Sequence, residues 1–458
     1  MAEADVRDGS FVIRHRGIRL IVGIGAALGG LLLFWGYPHA RALLIGTHSL
    51  RVEDVDAALS AIPIIPSGVR ARLGVHYLYD PLAFDPQRAL GHLQRAVHEQ
   101  PFDFRSWMHL GQGYEAVGDR ARADAAYRRA IACAPEYFLP QWLYANFLLK
   151  HGERERAIEV FARAARANPE AVPNIAELLQ DVESLQRLDR LAATASVRAR
   201  LCAFLLARGE LASALALWRD LAWDDDEETK LWLARALISR GISLGETERA
   251  HALWRAVGER IYAVAGQGLV WNGGFEHALF KERVADPPPP LLGSIRGSDL
   301  FDRDFDWRIE SDEGVVATIV RGDSHEGERA LRLQFVRHEG VRFSGIGQLV
   351  LLHPAMTYEL CFAYRADLRG DPRMLVEIIE APRGVPQEDR VLLRWKMPPE
   401  ANRTLWTSVC EIFQTSPTTS LVLLRLRREP AASLADFVKG HIWFDAFAIR
   451  PIEAEKGS

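Results

Sequence analysis

The 34 residues from Phe104 to Tyr137 limit what this chain can fold into more than any other stretch. Apolar residues recur at helical spacing in both halves of the stretch, which predicts two helices. Gly118 is typical of the left-handed residue that ends a first helix, and Pro135 would end a second one. Small residues on the facing sides predict that the two antiparallel helices approach each other closely. The positions that define this pattern are Trp107, Leu110, Gly111, Tyr114, Ala123, Tyr127 and Ala130.

The same pattern recurs along the chain. Moved forward by 34 residues, its glycine, aromatic residue and proline become Gly152, Phe161 and Pro169. Weaker copies occur upstream and downstream. The pattern resembles the tetratricopeptide repeat, in which W-x2-L-G-x2-Y is followed by Gly, Ala, an aromatic residue, Ala and Pro. The resemblance implies about five helix pairs stacked as an α-solenoid over residues 70–260.

The resemblance also implies a groove that binds protein. In this family, the first helix of each pair lines a concave surface that holds extended peptides. Trp142 is the expected anchor, because tryptophan often dominates binding interfaces, and Asn146 with Lys150 would engage a peptide amide or carboxylate. The alternatives are a solvated helix face and, for Trp142, packing between repeats. The expected groove residues are Arg105, Met108, Gln112, Glu115, Trp142, Asn146 and Lys150.

Beyond about residue 265 the hydrophobic period changes from that of a helix to that of a strand. Nine short β-type runs lie between residues 315 and 449, separated by turn residues. They predict an antiparallel two-sheet sandwich over residues 261–453. Cys361 and Cys410 fall on two of these runs. They would form a disulfide if their strands are neighbours in an oxidising compartment, whereas the frequency of cysteine in protein cores favours two buried thiols.

Two motifs flank the predicted sandwich. An Asn-Gly-Gly-Phe-Glu run ends at Glu276, and a run from His441 to Ile449 contains Asp445. Their order resembles that of jelly-roll carbohydrate-binding modules of the galactose-binding-like type. The resemblance implies a structural calcium ion held by the carboxylates of Glu276 and Asp445, with backbone oxygens near Asn272 and Glu326 completing its shell. The alternative is that Asp445 hydrogen-bonds a turn and no metal is bound.

Sugar binding by such a module needs aromatic faces for stacking and polar groups for hydroxyls. Trp395 and Trp443 are the aromatic candidates, because each alternates with its neighbours along a predicted strand. Trp307 and Trp406 match positions that usually lie in the core of the family. The expected carbohydrate-binding residues are Trp395, Trp443, Gln348, Glu377 and Arg394.

The amino terminus predicts a membrane anchor. Residues 20–37 contain no charged side chain, and arginines precede them. This length can span a bilayer, and the arginines favour a cytoplasmic amino terminus. A cleaved signal peptide is the alternative, although residues 39–42 form a poor cleavage site. We expect a bacterial inner-membrane protein with its bulk in the periplasm. Its parts would be a cytoplasmic tail at 1–17, an anchor at 18–37, a linker or first helix at 38–69 and a short tail at 454–458.

The net charge and the missing motifs argue against several classes of function. The net charge of −4 argues against nucleic-acid binding. Catalytic and phosphate-binding motifs are absent from the sequence, which favours a non-catalytic protein. The domain combination suggests an envelope scaffold that binds a protein partner and a glycan, in polysaccharide assembly or export. The alternatives are an adaptor whose sandwich binds only protein, and a carbohydrate-active enzyme whose paired carboxylates meet only in the fold.

Overall fold

The computed structural model describes residues 67–224, 226–262, 268–283, 304–337, 340–381, 390–398, 405–429 and 437–452. The predicted cytoplasmic tail, membrane anchor and carboxyl-terminal tail lie outside these residues, as does most of the predicted linker. None of the helices within the described ranges has the length and apolar character needed to cross a membrane. The chain divides into two compact units between Asn168 and Pro169. This division falls inside the stretch predicted as repeats.

Three antiparallel helix pairs form the described part of the first unit. The partners within each pair pack along their length, and each pair also contacts the next. These contacts bury the alanine-rich faces that the sequence predicts. The helices are α1 Ser67–Tyr79, α2 Pro86–Glu99, α3 Phe104–Ala116, α4 Arg120–Cys133, α5 Phe138–Lys150 and α6 Arg154–Ala167.

The pair formed by α3 and α4 confirms the sequence pattern in atomic terms. Asp103 caps α3, because its carboxylate accepts two backbone amides of the first turn. Gly118 follows the helix with φ of 79°, the left-handed conformation that favours glycine. A Cβ atom on Gly111 would lie 2.9 Å from the ring of Tyr127. Glycine at this position therefore sets how closely α4 approaches α3.

The second unit begins with further helices. Two antiparallel pairs continue the repeat pattern, so the five predicted pairs are present among the described residues. Two shorter helices occupy the stretch that lacks the repeat motif. The helices are α7 Val172–Leu179, α8 Val182–Ala192, α9 Ala195–Ala207, α10 Leu211–Arg219, α11 Glu227–Ser243, α12 Thr247–Tyr262 and the short α13 Phe280–Arg283, with a 3₁₀ turn at Pro169–Ala171.

The helix α12 packs against the chain that leads into the sandwich. Trp254 is 2% exposed, and its ring centroid lies 5.6 Å from that of Trp271 and 5.1 Å from that of Phe280. The ring of His251 contacts Phe305 at 4.9 Å. The last repeat helix and the sandwich therefore share one apolar cluster.

Within the described residues, ten antiparallel strands form the sandwich, one more than the sequence predicts. The additional strand, Arg308–Ile309, is too short to show an alternating pattern. The order is β1-β4-β9-β6-β7 in one sheet and β2-β3-β10-β5-β8 in the other; they are called the β9 sheet and the β10 sheet below. The strands are β1 Arg308–Ile309, β2 Val315–Arg321, β3 Arg329–Phe335, β4 Phe343–Leu351, β5 Thr357–Gly370, β6 Met374–Glu380, β7 Val391–Lys396, β8 Thr407–Gln414, β9 Leu421–Arg428 and β10 Val438–Pro451.

The two cysteines of the sandwich form a disulfide. Cys361 on β5 lies directly opposite Cys410 on β8, and their Cα atoms are 4.1 Å apart. The bond lies on the outer face of the β10 sheet, because the alternate residues Leu360 and Phe362 point into the core. The prediction of two buried free thiols, which the frequency of cysteine in protein cores favours, is therefore wrong. Residue frequencies do not contain the strand register that brings this pair together.

Candidate functional site

Glu115 links three helices on the predicted groove face of the first unit. Its Oε1 accepts a hydrogen bond from Nζ of Lys150 at 2.8 Å, and its Oε2 accepts one from the hydroxyl of Tyr127 at 3.1 Å. Burial and the neighbouring carboxylate raise the pKa of Tyr127, so this phenol stays protonated and donates. Two of the predicted groove residues are thus joined to each other, and α3 is tied to both α4 and α5.

Gln112 belongs to a second polar cluster on the same face of α3. It contacts Nδ1 of His109 at 3.1 Å and accepts a hydrogen bond from the hydroxyl of Tyr79 on α1. Burial raises the pKa of Tyr79 to about 12, which keeps the hydroxyl a donor. Arg105 is exposed, with its guanidinium carbon 5.6 Å from the ring centroid of Phe104.

Trp142 and Asn146 lie one turn apart on α5, and both side chains make contacts within the pair formed by α5 and α6. Trp142 is half-buried, and its ring packs against Phe138 and Phe161, each at 5.7 Å between centroids. The amide of Asn146 donates to the carbonyl of Trp142 at 2.8 Å. Leu139, one turn before Trp142, is 42% exposed. Part of the apolar surface of α5 is therefore exposed to solvent.

Met108 does not line a surface, and its predicted place in the groove is wrong. Only 4% of its surface is accessible. It sits between Trp107 and His109, which are half-buried. Helical spacing gives the side of α3 on which Met108 lies, but it does not show how much of that side chain the rest of the fold buries.

Two predicted carbohydrate-binding residues lie inside the sandwich. Trp395 is part of the core between the sheets, where its ring meets Phe362 at 5.1 Å. Gln348 is 1% exposed; its amide donates to the carbonyl of Trp271 at 2.8 Å and its Oε1 accepts the Trp271 amide. Neither side chain reaches a ligand surface. Alternation along a strand distinguishes two faces but does not say which face is inside.

Glu377 lies on the outer face of the β9 sheet, covered by arginines. Its carboxylate has no exposed area and accepts hydrogen bonds from Nε of Arg394 at 2.5 Å, Arg425 at 2.8 Å and Arg427 at 2.7 Å. Burial alone would raise the pKa of Glu377, but the bonds from Arg427, Arg425 and Arg394 outweigh it and lower the pKa to about 2. Two predicted ligand residues thus form a closed ionic cluster, with three cations around one carboxylate.

Trp443 lies on the opposite surface, the outer face of the β10 sheet. Its neighbours in sequence, Ile442 and Phe444, are core residues, so its ring points outward. The guanidinium carbon of Arg365 lies 4.2 Å from the centroid of Trp443 and 5.7 Å from that of Trp406. Arg365 is therefore held between two indole rings, an arrangement favoured by cation–π attraction.

A cavity of about 530 Å³ opens beside this stack. Its wall includes Trp406, Arg365 and Asp323, whose Oδ2 accepts a hydrogen bond from Nη2 of Arg365 at 2.6 Å. The imidazole of His325 lies over Trp406 with 5.7 Å between ring centroids. The expectation that Trp406 is a core residue is wrong, since its indole forms part of a surface cavity. The signal available in the sequence was the position of Trp406 just before a strand, where side chains need not follow the alternation.

The predicted calcium residues meet, and both hold a loop through hydrogen bonds. Asp445 accepts two amides from residues 325–326 at 2.7 and 3.0 Å and the Ala446 amide at 2.7 Å. Glu276 accepts two amides from residues 328–329 at 2.8 and 2.9 Å. Two carboxylates offer about eight lone-pair sites in total, and N–H groups take five of them. Since calcium needs about six to eight oxygen ligands, the remaining sites do not complete its shell, and calcium stays a prediction that requires backbone oxygens.

Comparison with known proteins agrees with the helical repeats. No protein-family model matches the chain. A TPR repeat-containing protein of Pseudomonas aeruginosa is 34% identical over 92 residues, which cover 20% of this chain and 76% of the relative. The chain belongs to the TPR repeat-containing proteins.

Solved structures similar to parts of this TPR protein include a carbohydrate-binding module and PilF. A family 16 carbohydrate-binding module has 16% identity and a TM-score of 0.25, over 40% of this chain and 99% of that one. The PilF structure of Pseudomonas aeruginosa has 19% identity and a TM-score of 0.24, over 43% of this chain and 93% of that one. Such scores carry no functional argument. The assignment of the repeats is based on the helix pairs, and the assignment of the jelly-roll sandwich is based on the strand order.

Proposed function

We propose that this TPR protein is a non-catalytic scaffold of the bacterial envelope, which binds a protein partner on its repeats and a glycan on its sandwich. An anchor at residues 18–37 would hold it in the inner membrane, with the described units in the periplasm. The combination of repeats and a carbohydrate-module fold suggests a role in polysaccharide assembly or export. This last step rests on domain combination.

The exposed surface of α5 is the observation that supports protein binding. Leu139 is 42% exposed, and Trp142 is half-buried beside it. Lys150 and Glu115 add an ion pair at the other end of the same face. Apolar anchors bordered by charged groups are typical of protein interfaces. An extended segment with apolar side chains is the partner chemistry that fits this face.

The disulfide between Cys361 and Cys410 supports the proposed compartment. Disulfides persist in oxidising compartments such as the periplasm and are rare in the cytosol. Cys410 is exposed, so a reducing cytosol would have access to the bond. This support is independent of the apolar segment near the amino terminus.

Site-specific photocrosslinking in producing cells tests the protein-binding part. The probe replaces Leu139 on α5, and the control probe replaces Arg163, an exposed residue of α6. We expect one defined protein adduct from position 139 and none of that size from position 163. Equal adducts from both positions would argue against a groove on the first helices.

A reporter fused after Ser458 tests the compartment. We expect activity of a reporter that works only in the periplasm, such as one that needs disulfides. Activity confined to a cytoplasmic reporter would remove the envelope part of the proposal and leave the protein-binding part standing.

A further inference from the structure

We infer that the cavity beside Trp406 on the outer face of the β10 sheet is a binding site for a neutral pyranose ring of a glycan. This inference rests on the proposed glycan-binding function and assigns its place and ligand class. It concerns the surface built by Trp406, Arg365, Asp323 and Trp443, which lies across the sandwich from the arginine cluster around Glu377.

The aromatic part of the site is held ready by its neighbours. Trp406 has His325 stacked on it at 5.7 Å with 22° between the ring planes, and Arg365 approaches it at 5.7 Å. The guanidinium of Arg365 is fixed in turn by Trp443 and by Asp323. An indole held by such contacts loses little conformational entropy when a ligand packs on it.

The polar part of the site matches a ring that carries hydroxyl groups. Asp323 presents a planar acceptor and Arg365 a planar donor, and they lie 2.6 Å apart. Such a pair can accept from one hydroxyl and donate to its neighbour. Ser324 adds a further hydroxyl to the wall. A few polar groups around an aromatic surface are typical of sites for small ligands.

The charge of the wall favours a neutral ligand. Arg321 and Arg365 contribute two positive charges, and Asp323 and Glu328 contribute two negative ones. A uronate or a phosphate would bring a carboxylate or phosphoryl charge against Asp323 and Glu328 without a surplus of cations to balance it. The outer face of the β9 sheet differs from this wall, because three arginines there surround the Glu377 carboxylate, and one of them, Arg427, also pairs with Glu429.

A row of unsatisfied polar atoms continues the site across the sheet. Thr318, Arg332, Trp443 and Arg365 lie opposite one another on four neighbouring strands. Within the described residues, Oγ1 of Thr318, Nε of Arg332 and Nε1 of Trp443 are buried without a hydrogen-bond partner. Such atoms cost free energy in the unliganded protein. Hydroxyl groups of a glycan that reached these atoms would satisfy them, so the row would extend the site from one ring to several.

Affinity gel electrophoresis of the full chain tests the site. The gels contain a soluble neutral hexose polymer, such as a glucan or a mannan, or a polyuronate. We expect a neutral polymer to retard the protein, and Trp406→Ala to weaken that binding about tenfold, the loss typical of an aromatic hot spot. Asp323→Asn should weaken it to a similar degree. Leu405→Ala is the matched control, because Leu405 precedes Trp406, is 77% exposed and does not line the cavity.

The outcomes separate this inference from the proposed function. Retardation that survives both Trp406→Ala and Asp323→Asn would overturn the site and leave glycan binding intact, as would a loss of binding in Arg394→Gln instead. Retardation by the polyuronate alone would overturn the neutral ligand class. Retardation by none of the polymers would overturn the glycan half of the proposed function together with the inference. The side chain of Asp323 is 44% exposed and lies in the loop between β2 and β3. Asp323→Asn therefore keeps the test valid if Trp406→Ala lowers the thermal stability.

Discussion

Replacement of Glu377 by glutamine would leave Arg394, Arg425 and Arg427 without the carboxylate that they share. The pKa of this carboxylate falls from 4.5 to about 2. Such a decrease corresponds to roughly 3 kcal/mol of preferential stabilisation of the ionised form. Glu377 has no exposed area, so solvent screens this stabilisation little. We therefore expect Glu377→Gln to lower the free energy of unfolding of the sandwich by about 3 kcal/mol at neutral pH.

The loss should depend on pH in one direction. The folded-state pKa of Glu377 lies below its ordinary value, so its contribution is fully present above about pH 4.5 and is lost as the pH falls through about 2. The difference between the wild type and Glu377→Gln should therefore be largest near neutrality and shrink toward pH 2. A mere packing defect would give a difference that does not change with pH.

Urea unfolding of the full chain, with pulsed hydrogen exchange of peptides from β6 and β9, measures this difference by region. The control is Glu310→Gln, which breaks an exposed ion pair with Arg308 on the same sheet and should change stability by less than about 1 kcal/mol. Equal stability of Glu377→Gln and wild type at pH 7, or a deficit that is the same at pH 3 and pH 7, would show that the charge of Glu377 does not stabilise the sandwich.

Two further substitutions have matched controls in the same chain. Gly111→Ala should lower the free energy of unfolding by about 1–3 kcal/mol, because its Cβ would overlap the ring of Tyr127. Gly91→Ala in α2 should raise it by about 0.5–1 kcal/mol, because a Cβ at Gly91 would have no other atom within 4 Å. Cys361→Ser opens a loop that spans 49 residues and should lower the free energy of unfolding by up to about 4 kcal/mol on loop entropy, whereas Cys133→Ser should change it by less than about 0.5 kcal/mol.

Thermal unfolding followed by circular dichroism checks both pairs. If Gly111→Ala and Gly91→Ala shift the midpoint in the same direction, the close approach of α3 and α4 is not what selects glycine at position 111. If the oxidised protein and Cys361→Ser unfold alike, the disulfide does not constrain the unfolded chain. Thiol titration under denaturing conditions reports independently whether the bond is formed.

The architecture could be predicted because its signals are local. The glycine and aromatic positions of the repeat lie within one 34-residue stretch, and Gly118 and Gly111 do what their spacing predicts. Strand alternation likewise predicts nine of the ten strands in the described part of the sandwich. The additional strand, β1, has two residues, so no period can be read from it.

The candidate site could be predicted only in fragments, because it depends on pairing between distant strands. Trp443 alternates as expected, but its partner Arg365 is known only from the register of β10 with β5. Trp395 alternates in the same way and points inward. Glu377 draws arginines from positions 17, 48 and 50 residues away. Local pattern gives the residue types, whereas the sheet order decides which of them meet.

The cluster around Trp254 affects whether the jelly roll can be separated from the last repeat helices, in a fragment or in evolution. A fragment that begins after α12 would keep Trp271 and Phe280 but lose the indole that covers them. It would then expose an apolar patch, which promotes self-association. A jelly roll moved to another protein without these helices would need a different apolar cover for Trp271 and Phe280. We expect it to pass between genes together with the last repeat helices, as one heritable block.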